Sequence, residues 1–108
     1  MAFIRKKSNT FKWPVTISYP TDGGRYETES FDAVFKRMGR KEFQKVVEKG
    51  DNELVETVLK GWEGITDEAG KEIPFSVGEL KELMDDPDFH RGVIQAYLAS
   101  LEGEKAKN

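Results

Sequence analysis

The chain has 108 residues, 37% of them hydrophobic, enough for one domain around one core and too little for a multidomain enzyme. It has 0 Cys, which excludes a disulfide framework, a thiolate metal site and a cysteine nucleophile, and no run nears the ~18 apolar residues of a membrane-spanning helix. The formal net charge of -3 hides an asymmetry: residues 1–50 carry 11 Lys and Arg against 6 Asp and Glu, whereas residues 51–108 carry 6 against 14.

Residues 1–10 read as a flexible N-terminal segment. Met1-Ala2-Phe3-Ile4-Arg5-Lys6-Lys7 has the pattern of neither a signal peptide nor an anchor, so the default location is the cytoplasm. A single domain is expected over residues 11–102. Trp13, Val15, Ile17 and Tyr19 alternate with polar residues, which predicts a strand; Pro14 pushes it to an edge, and Pro20 is expected to stop it. Asp22-Gly23-Gly24 allows a reversal, and the chain returns as a second antiparallel strand from Tyr26 to Phe35, with Phe31, Ala33 and Phe35 on one face. The same stretch fits a helical period through Phe31, Val34, Phe35 and Met38, but Thr28 and Ser30 precede it without a full capping box, which favours the strand.

After Gly39, Phe43, Val46 and Val47 form a short helical stripe that Gly50 is expected to end as a left-handed cap. Asp51 restarts a helix in which Leu54, Val55, Val58, Leu59 and Trp62 make a buried face, with Gly61 and Gly64 at its exit. Thr66-Asp67-Glu68-Ala69-Gly70 is a turn between two very short extended arms, a small hairpin ending at Ile73. Ser76 and Glu79 have capping-box spacing before a helix with a Val77, Leu80, Leu83, Met84 stripe. Asp86, Pro87 and Asp88 start a last helix, apolar at Phe89, Val93, Ile94, Tyr97, Leu98 and Leu101, after which residues 103–108 read as a fraying tail. The predicted fold is α+β: an N-terminal antiparallel β-hairpin followed by about four short helices, with a small hairpin before the last two.

Little in this pattern carries covalent chemistry. His90 beside Asp85, Asp86 and Asp88 could suggest a metal, but those carboxylates sit where a helix N-terminus attracts negative charge. No serine lies in a strand-turn-helix elbow, and Gly23-Gly24 is followed by Arg25-Tyr26 instead of a phosphate-cradling Lys-Ser pair. The expectation is a protein that is not an enzyme and needs no cofactor or metal. The basic first half, with Lys36, Arg37, Arg40 and Lys41, invites a nucleic-acid reading, yet its cations are interleaved with Glu27, Glu29, Asp32, Glu42 and Glu48 and read as a solvated face. Opposite charge on the two halves suggests a homo-oligomer instead. What remains is an apolar surplus on short helices. Trp62, Phe75, Phe89, Tyr97 and Leu101 either close the core or line a groove for another chain's helix, core being the default at helical spacing.

Trp62-Glu63-Gly64-Ile65-Thr66-Asp67 with Gly70, then Ile73-Pro74-Phe75-Ser76, and finally Ala106-Lys107-Asn108 resemble the tail assembly chaperones of long-tailed bacteriophages over roughly the second half of the chain. Phe31 to Met38 followed by Gly39-Arg40-Lys41-Glu42 is similar to their strand-then-helix entry. The resemblance implies a non-enzymatic protein of the bacterial host's cytoplasm that binds the tape measure protein, with the tail tube protein as a further partner, and keeps it soluble during tail tube assembly. On this reading Trp62, Phe75, Phe89, Tyr97 and Leu101 are the partner-binding residues. It further implies short and frameshifted long forms, and Lys107-Asn108 is compatible with a slippery A AAA AAC spelling. Two alternatives stay open: a minor phage structural or connector protein, and a small nucleic-acid-binding regulator.

Overall fold

A computed structural model describes Phe3 and residues 8–102. Most of the N-terminal segment and the tail 103–108, with its terminal Ala106-Lys107-Asn108, lie outside the described residues. Strand β1, Thr10–Thr21, pairs with β2, Arg25–Lys36, in an unbroken antiparallel register from Thr10↔Lys36 to Thr21↔Arg25. Gly23 and Gly24 at φ 79° and 76° make the reversal, a conformation costly for any residue with a Cβ. The odd-numbered residues of β1 face inward. Val15 and Ile17 meet Phe31, Ala33 and Phe35 of β2 on that buried face, while Lys12, Thr16, Ser30 and Asp32 line the open face.

The two prolines of β1 fit one rule. The Arg37 amide donates to the Asn9 carbonyl at 2.8 Å, so in this register the odd positions of β1 make the ladder bonds and the even positions point their amides away from β2. Pro14 and Pro20 both occupy even positions, where a missing N–H costs the ladder nothing. Pro20 therefore does not stop the strand, which runs on to Thr21. At the same edge, Arg91 Nη2 donates to the Ser18 carbonyl at 3.1 Å, and a Cβ added to Gly92 would lie 2.9 Å from the Thr16 carbonyl oxygen. A helix thus covers the edge that the prolines already blunt.

Helix α1, Arg40–Glu48, and helix α2, Asp51–Val58, meet at Gly50, whose carbonyl accepts from the Leu54 amide at 3.1 Å. Gly50 has φ 106° and ψ 172°. It is not the left-handed cap expected from the sequence but an extended, positive-φ corner that starts α2.

The chain departs further from its helical pattern after Val58. Helix α2 stops at Val58, and Leu59–Glu63 is a third strand, β3, antiparallel to β2, giving the sheet order β1-β2-β3. Leu59 and Trp62 are three residues apart, a helical interval, but the register shift between Val34 and Phe35 inserts an extra residue and lets both side chains face the core.

Thr66 and Glu72 form an isolated antiparallel bridge, the small hairpin, held by Asp67 Oδ1, which accepts from the amides of Ala69 at 2.9 Å and Lys71 at 3.0 Å. Helix α3, Val77–Met84, is capped by the Ser76 hydroxyl, which accepts from the Glu79 amide at 3.1 Å; its Leu80 is buried, while Val77, expected in the stripe, is 63% exposed. Helix α4, Pro87–Ser100, starts with the Asp86 carboxylate accepting from the Asp88 amide at 2.9 Å and with Pro87 in its first turn. Among the described residues the fold is α+β, a hairpin-based three-stranded sheet with four α-helices.

Candidate functional site

Helix α4 decides which sequence-predicted partner residues remain accessible. Phe89, Val93 and Tyr97 recur every four residues and all enter the core. Phe89 stacks on Phe31 with centroids 5.7 Å apart and planes 7° from parallel, and Tyr97 meets Phe35 edge-on at 5.2 Å. A four-residue row drifts by about 40° per step around a helix. By the C-terminal end it has turned off the sheet, leaving Leu98 41% and Leu101 51% exposed.

Of the five residues singled out from the sequence, Trp62, Phe89 and Tyr97 are therefore mostly interior side chains. Trp62 also donates from Nε1 to the Ile73 carbonyl at 2.8 Å, tying β3 to the small hairpin. Phe75 is half-buried, edge-on to Trp62 at 4.8 Å. Leu101 alone of the five is exposed, and it lies far along α4 from Phe89, so the five do not form one surface.

Two open clefts with apolar linings each include one of the five, Leu101 in the first and Phe89 in the second. The first, of about 420 Å³, lies between the base of the hairpin and the end of α4, and is lined by Phe11, Trp13, Met38 and Leu101 together with Lys12 and Arg37. Its cations are held in place. Arg37 lies 5.0 Å from the Phe11 ring centroid while its Nε donates to the Ser8 carbonyl at 2.8 Å. Lys12 pairs with Glu63 across the open face of the sheet, and that bond raises its pKa.

The second cleft, of about 410 Å³, lies between β2, the Gly64–Glu68 segment and the α3–α4 junction. Ile17, Phe31, Ile65, Leu83 and Phe89 give it an apolar floor. Glu29, Asp67, Glu68 and Asp86 form its rim, and no Lys, Arg or His lines it. Two of these carboxylates already order backbone, Asp67 in its turn and Asp86 at the α4 N-cap, so they are held rigidly. Glu29 accepts from the Tyr19 hydroxyl at 3.3 Å; desolvation, then the charges and hydrogen bonds of Glu29 and Glu27, raise the pKa of that phenol.

His90 is not part of either cleft. Its Nε2 is buried without a hydrogen-bond partner, while the carboxylates flagged beside it have structural uses: Asp86 caps α4 and Asp88 pairs with Arg91 at 2.7 Å. Sequence reading missed both clefts because each combines segments distant in the chain. For the first cleft the available signal was the placing of cations beside large apolar residues at Phe11-Lys12-Trp13 and Arg37-Met38. No helix among the described residues is long and apolar enough to cross a membrane.

A family model described as "YdaY prophage protein" matches residues 26–107, from the start of β2 through all four helices. Neither the curated proteins nor the solved structures provide a match.

Proposed function

The chain belongs to the YdaY prophage protein family, and from that premise we propose that it is a tail assembly chaperone. It binds the tape measure protein in the cytoplasm of the bacterial host, keeps that protein soluble while tail tube subunits polymerise around it, and makes or breaks no covalent bond. The observation that carries this reading is the cleft of Phe11, Trp13, Met38 and Leu101, with exposed Leu98 one turn away from Leu101 on α4. A long helical client presents apolar side chains at three- and four-residue intervals, and an open apolar groove on rigid elements covers such a stripe. The cleft is shallow, which suits a client that must later be released. The surplus of surface charge suits a holdase that must stay dissolved with its cargo. The non-catalytic part of the reading is supported by what the candidate reactive groups do: Ser76 and Asp86 cap helices and Asp88 holds Arg91.

Co-expression with the tape measure protein, and separately with the tail tube protein, tests the reading. The wild-type chain should carry the tape measure protein into the soluble fraction. A Leu101→Lys variant should lose that effect with its thermal melt little changed, since this side chain is half exposed and a cation suits a helix C-terminus. A client that stays insoluble with the wild-type chain rejects the proposal. Recovery of the chain as a stoichiometric component of purified particles favours a minor structural or connector protein instead.

A further inference from the structure

We propose that the acidic cleft beside Phe31 and Phe89 receives residues 1–7 of a second copy of this chain. The cleft demands a particular ligand chemistry. Its floor is aromatic and aliphatic and its rim carries Glu29, Asp67, Glu68 and Asp86 without a compensating cation, so it is complementary to a short segment with one or two apolar side chains followed by positive charge. Phe3-Ile4 followed by Arg5-Lys6-Lys7 has that composition and order.

Reach makes the contact intermolecular. Ser8 lies at the base of the hairpin, and the residue of β1 that lines the cleft is Ile17, about 30 Å further along β1 at the rise of an extended strand. Phe3 or Ile4 can extend only about 14–18 Å from Ser8. A chain therefore cannot seat these residues in its own cleft. The partner is available at equal concentration whenever the protein is made. The contact joins different surfaces of two copies, so it closes on itself only if the copies exchange segments reciprocally or assemble into a ring. The second copy occupies the end of the molecule opposite Leu98 and Leu101, leaving the cleft at the hairpin base open.

Sedimentation velocity on the full chain tests the proposal, with Arg5→Glu, Lys6→Glu, Lys7→Glu as one charge-reversed variant and Glu29→Lys, Glu68→Lys as the other. Asp67 and Asp86 are left intact because the fold uses them. The wild type should self-associate, and raising the salt from about 0.05 M to about 0.5 M should weaken that association about tenfold or more. Each variant alone should lose association to a similar extent, and an equimolar mixture of the two should restore it. Phe3→Ser should weaken association without changing its salt dependence. A chain that is monomeric at every concentration, association indifferent to the reversal of Arg5, Lys6 and Lys7, or a mixture no better than either variant would overturn the proposal.

Discussion

Replacing Gly92 with Ala tests the seating of α4 on β1 through one methyl group. Gly92 lies in the interior of α4 without a positive φ, so on helix propensity alone the substitution should stabilise by about 1 kcal/mol. Packing opposes it. The new Cβ would stand 2.5 Å from Ile17 Cδ1 and 2.9 Å from the Thr16 carbonyl oxygen. The Ile17 methyl can rotate aside, but the carbonyl belongs to a strand fixed by its ladder, so the helix must lift. Overpacking of this kind costs about 1–3 kcal/mol, which leaves a net loss of up to about 2 kcal/mol and lowers Tm by roughly 4–8 °C for each kcal/mol lost in a domain of this size. Gly78 in α3 is the control, because nothing lies within 4 Å of the Cβ it would gain. There the same substitution should raise stability by about 0.5 kcal/mol, part of the interior propensity difference. Thermal unfolding followed by circular dichroism at 222 nm reads both. A Gly92→Ala protein that melts at or above the wild-type temperature would refute the close approach of helix and strand edge.

Three further outcomes are expected. Phe31→Ala and Phe89→Ala should each cost about 3–4 kcal/mol in urea unfolding, and the double variant should show about 0.5–1.5 kcal/mol of coupling because the rings stack directly; strict additivity would deny the stack. Ser76→Ala and Asp86→Ala should each lose about 1 kcal/mol by removing a hydroxyl or carboxylate that accepts a first-turn amide, whereas Ser76→Asp, which keeps an acceptor, should lose little on the same melt. Burial, with Glu42 as the second cause, pushes the Tyr97 phenol above its ordinary value of 10. The folded chain therefore holds this proton more tightly than the unfolded one, and stability that is intact below about pH 10 declines as pH rises toward the elevated native value. Melts between about pH 8 and pH 11 should fall more steeply for the wild type than for Tyr97→Phe, and parallel curves would contradict the shift.

Legibility differed sharply from one element to the next. The β1–β2 hairpin could be read because alternation at Trp13, Val15, Ile17 and again at Phe31, Ala33, Phe35 has one physical meaning, a sheet with one wet face. The starts of α3 and α4 could be read because Ser76 and Asp86 satisfy amides only a few residues away. Strand β3 could not. Leu59 and Trp62 fit a helix continuing from α2, and only the bulge opposite Val34 and Phe35 makes their spacing suit a strand. The accessibility of the partner-binding candidates was hard to read for a related reason. An apolar stripe on a sequence does not say which of its members a sheet will cover, and the drift of the α4 row consigned Phe89 and Tyr97 to the core while leaving Leu101 outside.

Local rules thus determined the turn at Gly23-Gly24, the helix caps, the alternating strands and the charge asymmetry, since each depends on neighbours within a few positions or on composition. Tertiary structure alone decided the third strand, the cover over the β1 edge and the two clefts of opposite rim charge. Those features arise where segments tens of residues apart meet, as Phe11 meets Arg37 and Leu101, and Phe31 meets Ile65 and Phe89. Such meetings are set by how α4 lies across the sheet, a geometry that no window of sequence contains.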